Sequence, residues 1–321
     1  MKKIALALLL ILMLSVSLLY GLSIHQVEAE ANATIYIRAD GSIEGTDKIQ
    51  RVGDVYTLTD NISGGIQIQK SHIVLDGAGY RLQGDGNQNG ITLSARDISN
   101  TTVKNLKLSS FNIGIVVMSS DNNKILENII TDSFRGLDFT ASENNTVSGN
   151  YIANNNDGIA LENMYNNIVE NTITNNTNIG IFLYGAGYNN IIGNNITKNS
   201  RGILVHVCYN NVIYHNNFLN NTNHVETDDS NGIWDNGEKG NYWSDYEDRY
   251  PDAKELDGSG VWDTPYVIDE DNQDNYPLMS SVVSPEFPDE EPLPTTLLVA
   301  LIVLVAVVSL GLIVYFKKRK H

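Results

Sequence analysis

One period runs through the middle of the chain and limits its possible folds more than any other feature. A glycine that precedes an apolar residue recurs about every 22 residues, at Gly90, Gly114, Gly136, Gly158, Gly180 and Gly202. Two asparagine series keep the same spacing, one at Asn122, Asn144, Asn166, Asn189 and Asn210, the other at Asn128, Asn150, Asn171, Asn194 and Asn216. Three markers with one period indicate stacked coils rather than a globular domain with scattered strands.

The residues after each glycine indicate that the coils are built from β-strands. The segments read GIVVM, GLDFT, GIALE, GIFLY and GILVH, and the first and third residues after each glycine are apolar. Alternate apolar residues, many of them β-branched, are typical of strands with one buried face. The connecting segments show no helical periodicity, which argues against a leucine-rich repeat. We therefore predict an all-β fold, a right-handed parallel β-helix of about eight coils.

Stacking makes two further predictions about individual side chains. The inward residues of successive coils should form one buried stack of Ile115, Leu137, Ile159, Ile181 and Ile203. Asparagine suits a bend that recurs in every coil, because it tolerates a left-handed backbone. Its amide can also donate to one neighbouring coil and accept from the other, so we expect the asparagines to form ladders.

The two ends of the chain predict export and attachment to a membrane. Residues 1–31 contain MKK, an apolar run and the small residues Ala29 and Ala31, as in a secretory signal peptide. Residues 295–316 carry no charge and are long enough to span a bilayer as a helix. The basic residues 317–320 follow at once, so the positive-inside rule places the repeats outside the cell.

These features divide the chain into six segments. They are a signal peptide (1–31), a parallel β-helix (32–225), an acidic and aromatic-rich cap (226–280), a Pro-rich acidic stalk (281–294), a single transmembrane helix (295–316) and a basic cytoplasmic tail (317–321). The predicted location is the cell membrane, with the N-terminal domain extracellular. Seven N-x-Ser/Thr sequons suit an exported protein, and they begin at Asn32, Asn61, Asn100, Asn144, Asn175, Asn195 and Asn220.

The acidic charge of the chain is concentrated near the cap. The formal net charge is −17, and residues 226–291 hold 20 Asp or Glu and 3 Lys or Arg, which is also −17. The repeats are therefore close to neutral, and neither part has the basic stripe that nucleic acid requires. Cys208 is the one cysteine, which excludes an intrachain disulfide framework and a Cys-based zinc site.

The outward face of the repeated strands is the first candidate site. Asp138 and Glu162 are one coil and two residues apart, so we expect their Cβ atoms to be roughly 8 Å apart. Two carboxylates at that distance could serve as acid and base on a glycosidic bond. Binding of a neutral glycan needs only a flat surface with aromatic and hydrogen-bonding side chains. The glycan-binding candidates are Asp138, Glu162, Tyr184, His206 and Trp243.

Copper and calcium are the two metals that the residues suggest. His206 and Cys208 alternate on one predicted strand, and soft ligands of these types could hold copper. His215, Met118 and Met164 lie on other coils, however, and the five do not form a closely spaced set.

In the cap, a glycine-containing loop places oxygen atoms at alternate positions. Its candidate ligands are Asp257, Ser259 and Asp263. The pattern resembles part of a calcium loop without the bidentate glutamate. Ca²⁺ is the only cofactor that we predict. All three tryptophans, Trp234, Trp243 and Trp262, also fall in this segment, as expected for a cap that covers the open end of a β-helix.

Several motifs resemble a known family. They are IYIRADGSI, YTLTDNI, IVLDGAGYRLQG, the NN-x-I coils, and the closing GNYWSDY, WDTPYVID and NQDNYPLM. Together they are similar to the NosD-type right-handed β-helix family, which has a pectin-lyase-like fold and includes domains described for carbohydrate binding and sugar hydrolysis. The resemblance covers about residues 34–280. It implies a connection with copper-site assembly, and relatives with this ending resemble membrane-anchored archaeal surface proteins.

The expected function is non-catalytic. We predict binding of a polysaccharide or cell-envelope glycan, or a structural part in the envelope. One alternative is a polysaccharide-active enzyme, a lyase, epimerase or glycoside hydrolase. A lyase or epimerase on uronates would need cations against the substrate carboxylate, and the face offers only Arg135 and Arg201. A copper-handling accessory protein, as the family name implies, is the other alternative.

Overall fold

The computed structural model describes residues 34–94 and 98–282. The predicted signal peptide, the sequon at Asn32, nearly all of the predicted stalk, the predicted membrane helix and the basic tail lie outside these ranges. Within the described ranges, no helix has the length and apolar character needed to cross a membrane.

The described residues form short strands and one turn of helix. The strands up to residue 94 are β1 (Ile35–Ile37), β2 (Ile43–Glu44), β3 (Ile49–Val52), β4 (Val55–Leu58), β5 (Ile62–Ser63), β6 (Ile66–Ile68), β7 (Val74–Asp76), β8 (Arg81–Gln83) and β9 (Ile91–Ser94). The next coils contain β10 (Thr102–Lys104), β11 (Lys107–Ser109), β12 (Ile113–Met118), β13 (Lys124–Leu126), β14 (Ile129–Thr131), β15 (Arg135–Thr140), β16 (Thr146–Ser148), β17 (Tyr151–Ala153), β18 (Asp157–Glu162), β19 (Asn167–Val169) and β20 (Thr172–Thr174). The last elements are β21 (Ile179–Tyr184), β22 (Asn190–Ile192), β23 (Asn195–Thr197), β24 (Arg201–His206), β25 (Asn211–Tyr214), β26 (Asn217–Leu219), β27 (Asn223–Asp228), β28 (Gly232–Ile233), β29 (Tyr242–Trp243), α1 (Tyr246–Arg249), β30 (Tyr266–Val267) and β31 (Gln273–Asp274).

The strands stack into three long sheets, and each coil contributes one strand to each of them. Sheet A has the order β2-β1-β6-β9-β12-β15-β18-β21-β24-β27, sheet B runs from β28 and β25 back to β4 and β3, and sheet C runs from β29 and β26 back to β5. All neighbours from β6 to β27 in sheet A pair in parallel. The prediction of a parallel β-helix of about eight coils is confirmed.

The predicted apolar stack forms the centre of sheet A. Ile115 pairs with Leu137, Leu137 with Ile159, and the register continues through Ile181 to Ile203. All five side chains are fully buried. They lie one above another because each is 22 residues from the next, so the same inward position recurs at each step of about 4.7–4.9 Å.

The glycine series follows from the close approach of neighbouring coils. A Cβ at Gly158 would lie 2.4 Å from the carbonyl oxygen of Gly180, and one at Gly202 would lie 2.5 Å from that of His224. Any side chain would therefore collide with the backbone of the next coil. The series stops at His224, the equivalent position in β27, which is the last strand of sheet A.

The asparagines form ladders, but the bend and the ladder use different residues. At the corner between sheets A and B, the left-handed backbone belongs to residues such as Asn144 (φ 56°) and Tyr188 (φ 55°). The ladder belongs to the residue that follows, so that Asn145 donates from its amide to Asn166 Oδ1 at 3.2 Å. The prediction that one asparagine does both was wrong, because an amide that points inward to the next coil cannot also turn outward with the bend.

Three asparagine ladders run along the β-helix. They consist of Asn123, Asn145, Asn166, Asn189 and Asn211; of Asn128, Asn150, Asn171, Asn194, Asn216 and Asn241; and of Asn155, Asn176, Asn199 and Asn221. The second was predicted and extends into the cap at Asn241. The third was not predicted.

The cap continues the coils for two short strands and then closes them with aromatic rings. Trp243 is buried between Phe218 of the last full coil, with ring centroids 4.4 Å apart, and Tyr266, at 4.0 Å. Two polar side chains of the NQDNYPLM motif fix the indoles: Trp234 Nε1 donates to Asn272 Oδ1 at 3.1 Å, and Trp243 Nε1 donates to Asp274 Oδ2 at 2.9 Å. The closing motifs are therefore structural parts of an aromatic cap, as predicted.

Candidate functional site

On the outward face of sheet A, acidic side chains form ion pairs with arginines. Asp138 lies beside Ala160 and Glu162 beside Thr140, so the predicted offset of one coil and two residues is present. Asp138 is not free, however. Its Oδ2 accepts from Arg135 Nη1 at 2.5 Å and its Oδ1 from Thr140 Oγ1 at 3.1 Å. Glu162, by contrast, is exposed.

The same arginine bridges two coils. Arg135 Nη2 lies 3.7 Å from Asp157 Oδ2 in the next strand. Farther along the face, Arg201 pairs with Glu226 at 3.5 Å. The two cations that a uronate could use are thus already paired with acidic groups of the protein.

Tyr184 and His206 lie together at the ends of β21 and β24. Their rings stack with centroids 5.3 Å apart and planes 14° apart. His206 Nδ1 in turn lies 2.7 Å from Asp228 Oδ2 at the end of β27. Two of the predicted glycan-binding residues are therefore neighbours, and each is fixed in position by the other.

Three more tyrosines lie just beyond the ends of these strands. Tyr165 and Tyr188 stack at 5.4 Å, and Tyr209 follows on the next coil. With Tyr184 they form the tyrosine flank, whose four members are exposed by 46–49%. None of these three tyrosines was predicted as a site residue, although the tripeptide Tyr-Asn-Asn occurs at 165–167, 188–190 and 209–211.

Trp243 does not belong to this surface. Its side chain is 1% exposed and both ring faces are covered, by Phe218 and Tyr266. The prediction of Trp243 as a glycan-binding residue is wrong, because the cap uses its apolar area to cover the open end of the β-helix.

His206 and Cys208 do not share a face, contrary to the expected alternation. Val207 between them has a left-handed backbone (φ 53°), so the chain turns and Cys208 enters the core. The thiol accepts the Ala186 N–H at 3.3 Å and donates to the His206 carbonyl at 3.2 Å. Ser142 occupies the same kind of position three coils earlier, where it accepts from Ser120 N–H and donates to the Thr140 carbonyl.

Cys208 is therefore a structural thiol in a position that suits a serine. Burial raises its pKa, which disfavours the thiolate that a metal would need. His215 lies at another corner, beside Tyr214. Over residues 34–94 and 98–282 there is no group of three or more His, Cys, Asp or Glu side chains placed to hold a metal.

The predicted calcium loop is a tight turn between Leu256 and Val261. Ser259 Oγ donates to the Leu256 carbonyl at 2.5 Å. Asp263 Oδ1 accepts from Lys254 N–H and from Thr264 Oγ1, both at 3.0 Å, and the backbone hydrogen bond from Lys254 is the main cause that lowers the pKa of Asp263. Asp257 is exposed. Calcium binding here stays a prediction, to be checked by whether added Ca²⁺ raises the melting temperature.

The sequons differ in their geometry. Asn100, Asn144, Asn175 and Asn220 are exposed and left-handed at corners. Asn61 is exposed, although its Oδ1 accepts the Arg81 N–H at 2.8 Å. Asn195 lies within β23 with Oδ1 buried. Glycosylation itself stays a prediction.

A second concave surface, which we name the junction cleft, lies between the last coil and the cap. It has a volume of about 440 Å³, and its walls come from residues 220–225, from Ser244, Asp245, Asp248 and Arg249 around α1, and from Tyr266 and Ile268. His224 and Asp245 meet here, with Nε2 and Oδ1 3.2 Å apart. The sequence carries one signal for it: His224 stands where the glycine period requires a glycine.

Comparison with solved structures finds two epimerases and a glucanase among the similar proteins. A mutant of the periplasmic alginate epimerase AlgG is 14% identical with a TM-score of 0.39, covering 64% of this chain and 67% of its own. The Azotobacter vinelandii mannuronan C-5 epimerase AlgE4 A-module is 13% identical with a TM-score of 0.34, covering 65% of this chain and 75% of its own. The catalytic domain of GH87 alpha-1,3-glucanase in complex with nigerose is 14% identical with a TM-score of 0.29, covering 57% of this chain and 48% of its own. At these values we transfer no activity from them.

No curated protein matches the chain. The sequence model of one family does match, over residues 42–248, which is more than half of the chain. Its description is "Periplasmic copper-binding protein (NosD)". The matched range runs from the first coils through Trp243 and α1, so it includes the coils, the ladders and the start of the aromatic cap. The chain therefore belongs to the NosD family.

Proposed function

We propose that the protein binds a neutral glycan along the outer face of sheet A and the tyrosine flank, and that it does not cleave it. The observation that carries the proposal is the set of four half-exposed tyrosines on neighbouring coils. Tyrosine offers an apolar ring for the C–H face of a sugar and a hydroxyl for its polar groups. The stacked rings are already ordered, so little side-chain entropy is lost on binding.

The paired charges favour a neutral ligand. Arg135 and Arg201 both contact carboxylates of the face, and the strongly acidic cap lies at one end of the β-helix. A polyanionic glycan would have to break these pairs and approach an acidic module against its field. A neutral glycan requires neither.

The same pairing disfavours the enzymatic alternative. Acid–base cleavage of a glycosidic bond needs one carboxyl group that can donate a proton and a second that can accept one or attack. Asp138 is held by Arg135 and Thr140, so Glu162 has no free partner carboxylate at the predicted position. A binding surface needs no such pair.

The family description raises the question of copper. The predicted ligand set does not fit it, because Cys208 is in the core and hydrogen-bonded to backbone groups while His206 faces outward against Tyr184. The proposed function therefore does not involve copper. We retain the expectation that the protein is anchored in a membrane with its β-helix outside the cell, where a glycan partner would be found.

The test is a glycan array probed with residues 32–282, followed by titration of the glycans that bind. Tyr184→Ala and Tyr188→Ala should each weaken binding about threefold to tenfold, the loss expected for one aromatic contact. Phe134→Ala is the matched control, because Phe134 is exposed by 58% but lies just before β15, whereas the tyrosine flank is at the other end of the sheet A strands. Absence of any bound glycan, or equal affinities in all variants, would refute the proposal.

A further inference from the structure

The junction cleft is built where the repeat ends. Seven coils, from Gly65 to Gly202, have glycine at the position of His224, and a side chain fits here because no further strand of sheet A follows β27. The imidazole is almost fully buried, with its side chain 7% exposed, and packs near Phe218 and Trp243. The end of the period therefore produces a polar cleft with a histidine in its wall.

The charged groups of this cleft compensate one another. Asp245 accepts from the Tyr266 hydroxyl at 3.1 Å, contacts His224 Nε2 at 3.2 Å, and lies 4.0 Å from Arg249 Nη1. The walls thus supply both donors and acceptors without a large net charge, apart from the exposed Asp248. A ligand without net charge suits such a lining, because a charged one would compete with partners that are already in place.

Stacking is not available in the junction cleft. One face of Tyr266 is covered by Trp243 at 4.0 Å, and the other by the guanidinium of Arg249 at 4.3 Å. Recognition must then come from hydrogen bonds, for which Asn220, Thr222 and Asn223 line the cleft. A volume of about 440 Å³ lies within the range of small-molecule sites.

Ser244, His224 and Asp245 do not form a catalytic triad. Ser244 Oγ lies 3.4 Å from His224 Nε2, and Asp245 Oδ1 lies 3.2 Å from the same nitrogen. In a triad the carboxylate and the nucleophile occupy different ring nitrogens, so that one orients the ring and the other loses its proton. The arrangement therefore indicates binding rather than acyl transfer.

We propose that the junction cleft binds a small neutral polyol, of the class of a mono- or disaccharide, through hydrogen bonds alone. This site is distinct from the tyrosine flank. The two share no residue, and they lie at opposite ends of the sheet A strands, since the cleft includes Asn223 at the start of β27 and the flank follows the ends of β21 and β24. Either can therefore fail without the other.

The experiment is saturation-transfer NMR and calorimetry of the full chain, using glucose, galactose, mannose, N-acetylglucosamine, maltose and cellobiose as probes. At least one should bind. Asp248→Ala and Thr222→Val should each weaken it about threefold to tenfold, as expected for the loss of one hydrogen bond. The matched controls are Glu247→Ala, on the same helix but outside the cleft, and Ser200→Ala, at the same corner one coil earlier.

Tyr184→Ala separates this proposal from the proposed function, because it should leave saccharide binding in the junction cleft unchanged. Melting curves of every variant confirm that the fold is kept. Three results would each overturn the proposal: no transfer to any of the six saccharides, equal affinity in the cleft variants and their controls, or loss of all binding in Tyr184→Ala alone.

Discussion

At the scale of single residues, the backbone conformation decides what each asparagine at a corner does. Asn144 and Asn145 are adjacent asparagines, and the spacing alone does not tell which one bends the chain and which one forms the ladder. The backbone decides, because the left-handed residue directs its side chain to solvent and the next residue points inward. Val207 illustrates the same limit: one left-handed residue reverses the alternation that placed Cys208 outside.

Asn171 provides a test of the ladder. Its Oδ1 accepts the backbone N–H and the side-chain amide of Asn150, both at 2.9 Å, and its own amide donates to the Val147 carbonyl at 2.9 Å. Asn171→Ala would remove these three buried hydrogen bonds and leave the Asn150 N–H without its partner, so we expect a loss of about 1–3 kcal/mol or more in the free energy of unfolding. Urea unfolding measures it, with the exposed Asn112→Ala as control. Equal stabilities would contradict the ladder as a stabilising element.

At the scale of the elements, strands and their burial were readily predictable and the surface was not. The inward positions obey period two, so Ile159 and its equivalents could be identified from spacing. The position of the tyrosine flank depends on which of several exposed corners has aromatic side chains. The alternation of buried and exposed residues does not indicate which corner that is. His224 was detectable only as an interruption of the glycine series.

The glycine series makes a prediction about a whole strand. In Gly158→Ala the new Cβ would lie 2.4 Å from the Gly180 oxygen, so β18 and β21 must separate. We expect destabilisation of roughly 1–3 kcal/mol or more, as for other overpacked cores. Gly185→Ala is a control with open space around its Cβ but a left-handed backbone (φ 56°), which should cost only about 1 kcal/mol. Thermal melting ranks the two, and the reverse order would contradict this account.

At the scale of the whole molecule, the separation of charge agrees with the architecture. Outside residues 226–291 the chain holds 18 Asp or Glu and 18 Lys or Arg, so the excess of carboxylates lies in and just beyond the cap segment. Which of those carboxylates are buried was not predictable. Asp274 and the exposed Asp271 are three residues apart in one acidic run, yet only the structure shows that Asp274 holds the cap together.

The orientation in the membrane is a prediction that rests on the sequence of the ends. If residues 295–316 span the bilayer and residues 317–321 face the cytoplasm, protease added to intact cells should release the β-helix domain. An antibody to a tag at the C-terminus should still detect a protected fragment. Protection of the β-helix domain in intact cells would show that the predicted orientation is wrong.

The stability of the whole molecule should depend on pH through Asp274. Burial raises the pKa of this carboxyl group from 3.8 to about 7. At pH values between these two, the folded protein keeps a proton that the unfolded chain has released. The stabilisation of the fold by this protonation is complete below pH 3.8 and is lost as the pH rises through 7. The free energy of unfolding should then fall by up to about 1.4 kcal/mol per pH unit in this window. Urea unfolding from pH 4.5 to 7.5 measures the slope.

Asp274→Asn should be less stable than the wild type, because an amide cannot accept all the N–H groups that reach both carboxylate oxygens. The pH slope of its free energy of unfolding should be smaller than that of the wild type and of the exposed control Asp252→Asn. Equal slopes in all three proteins would contradict a protonated carboxyl group under the cap.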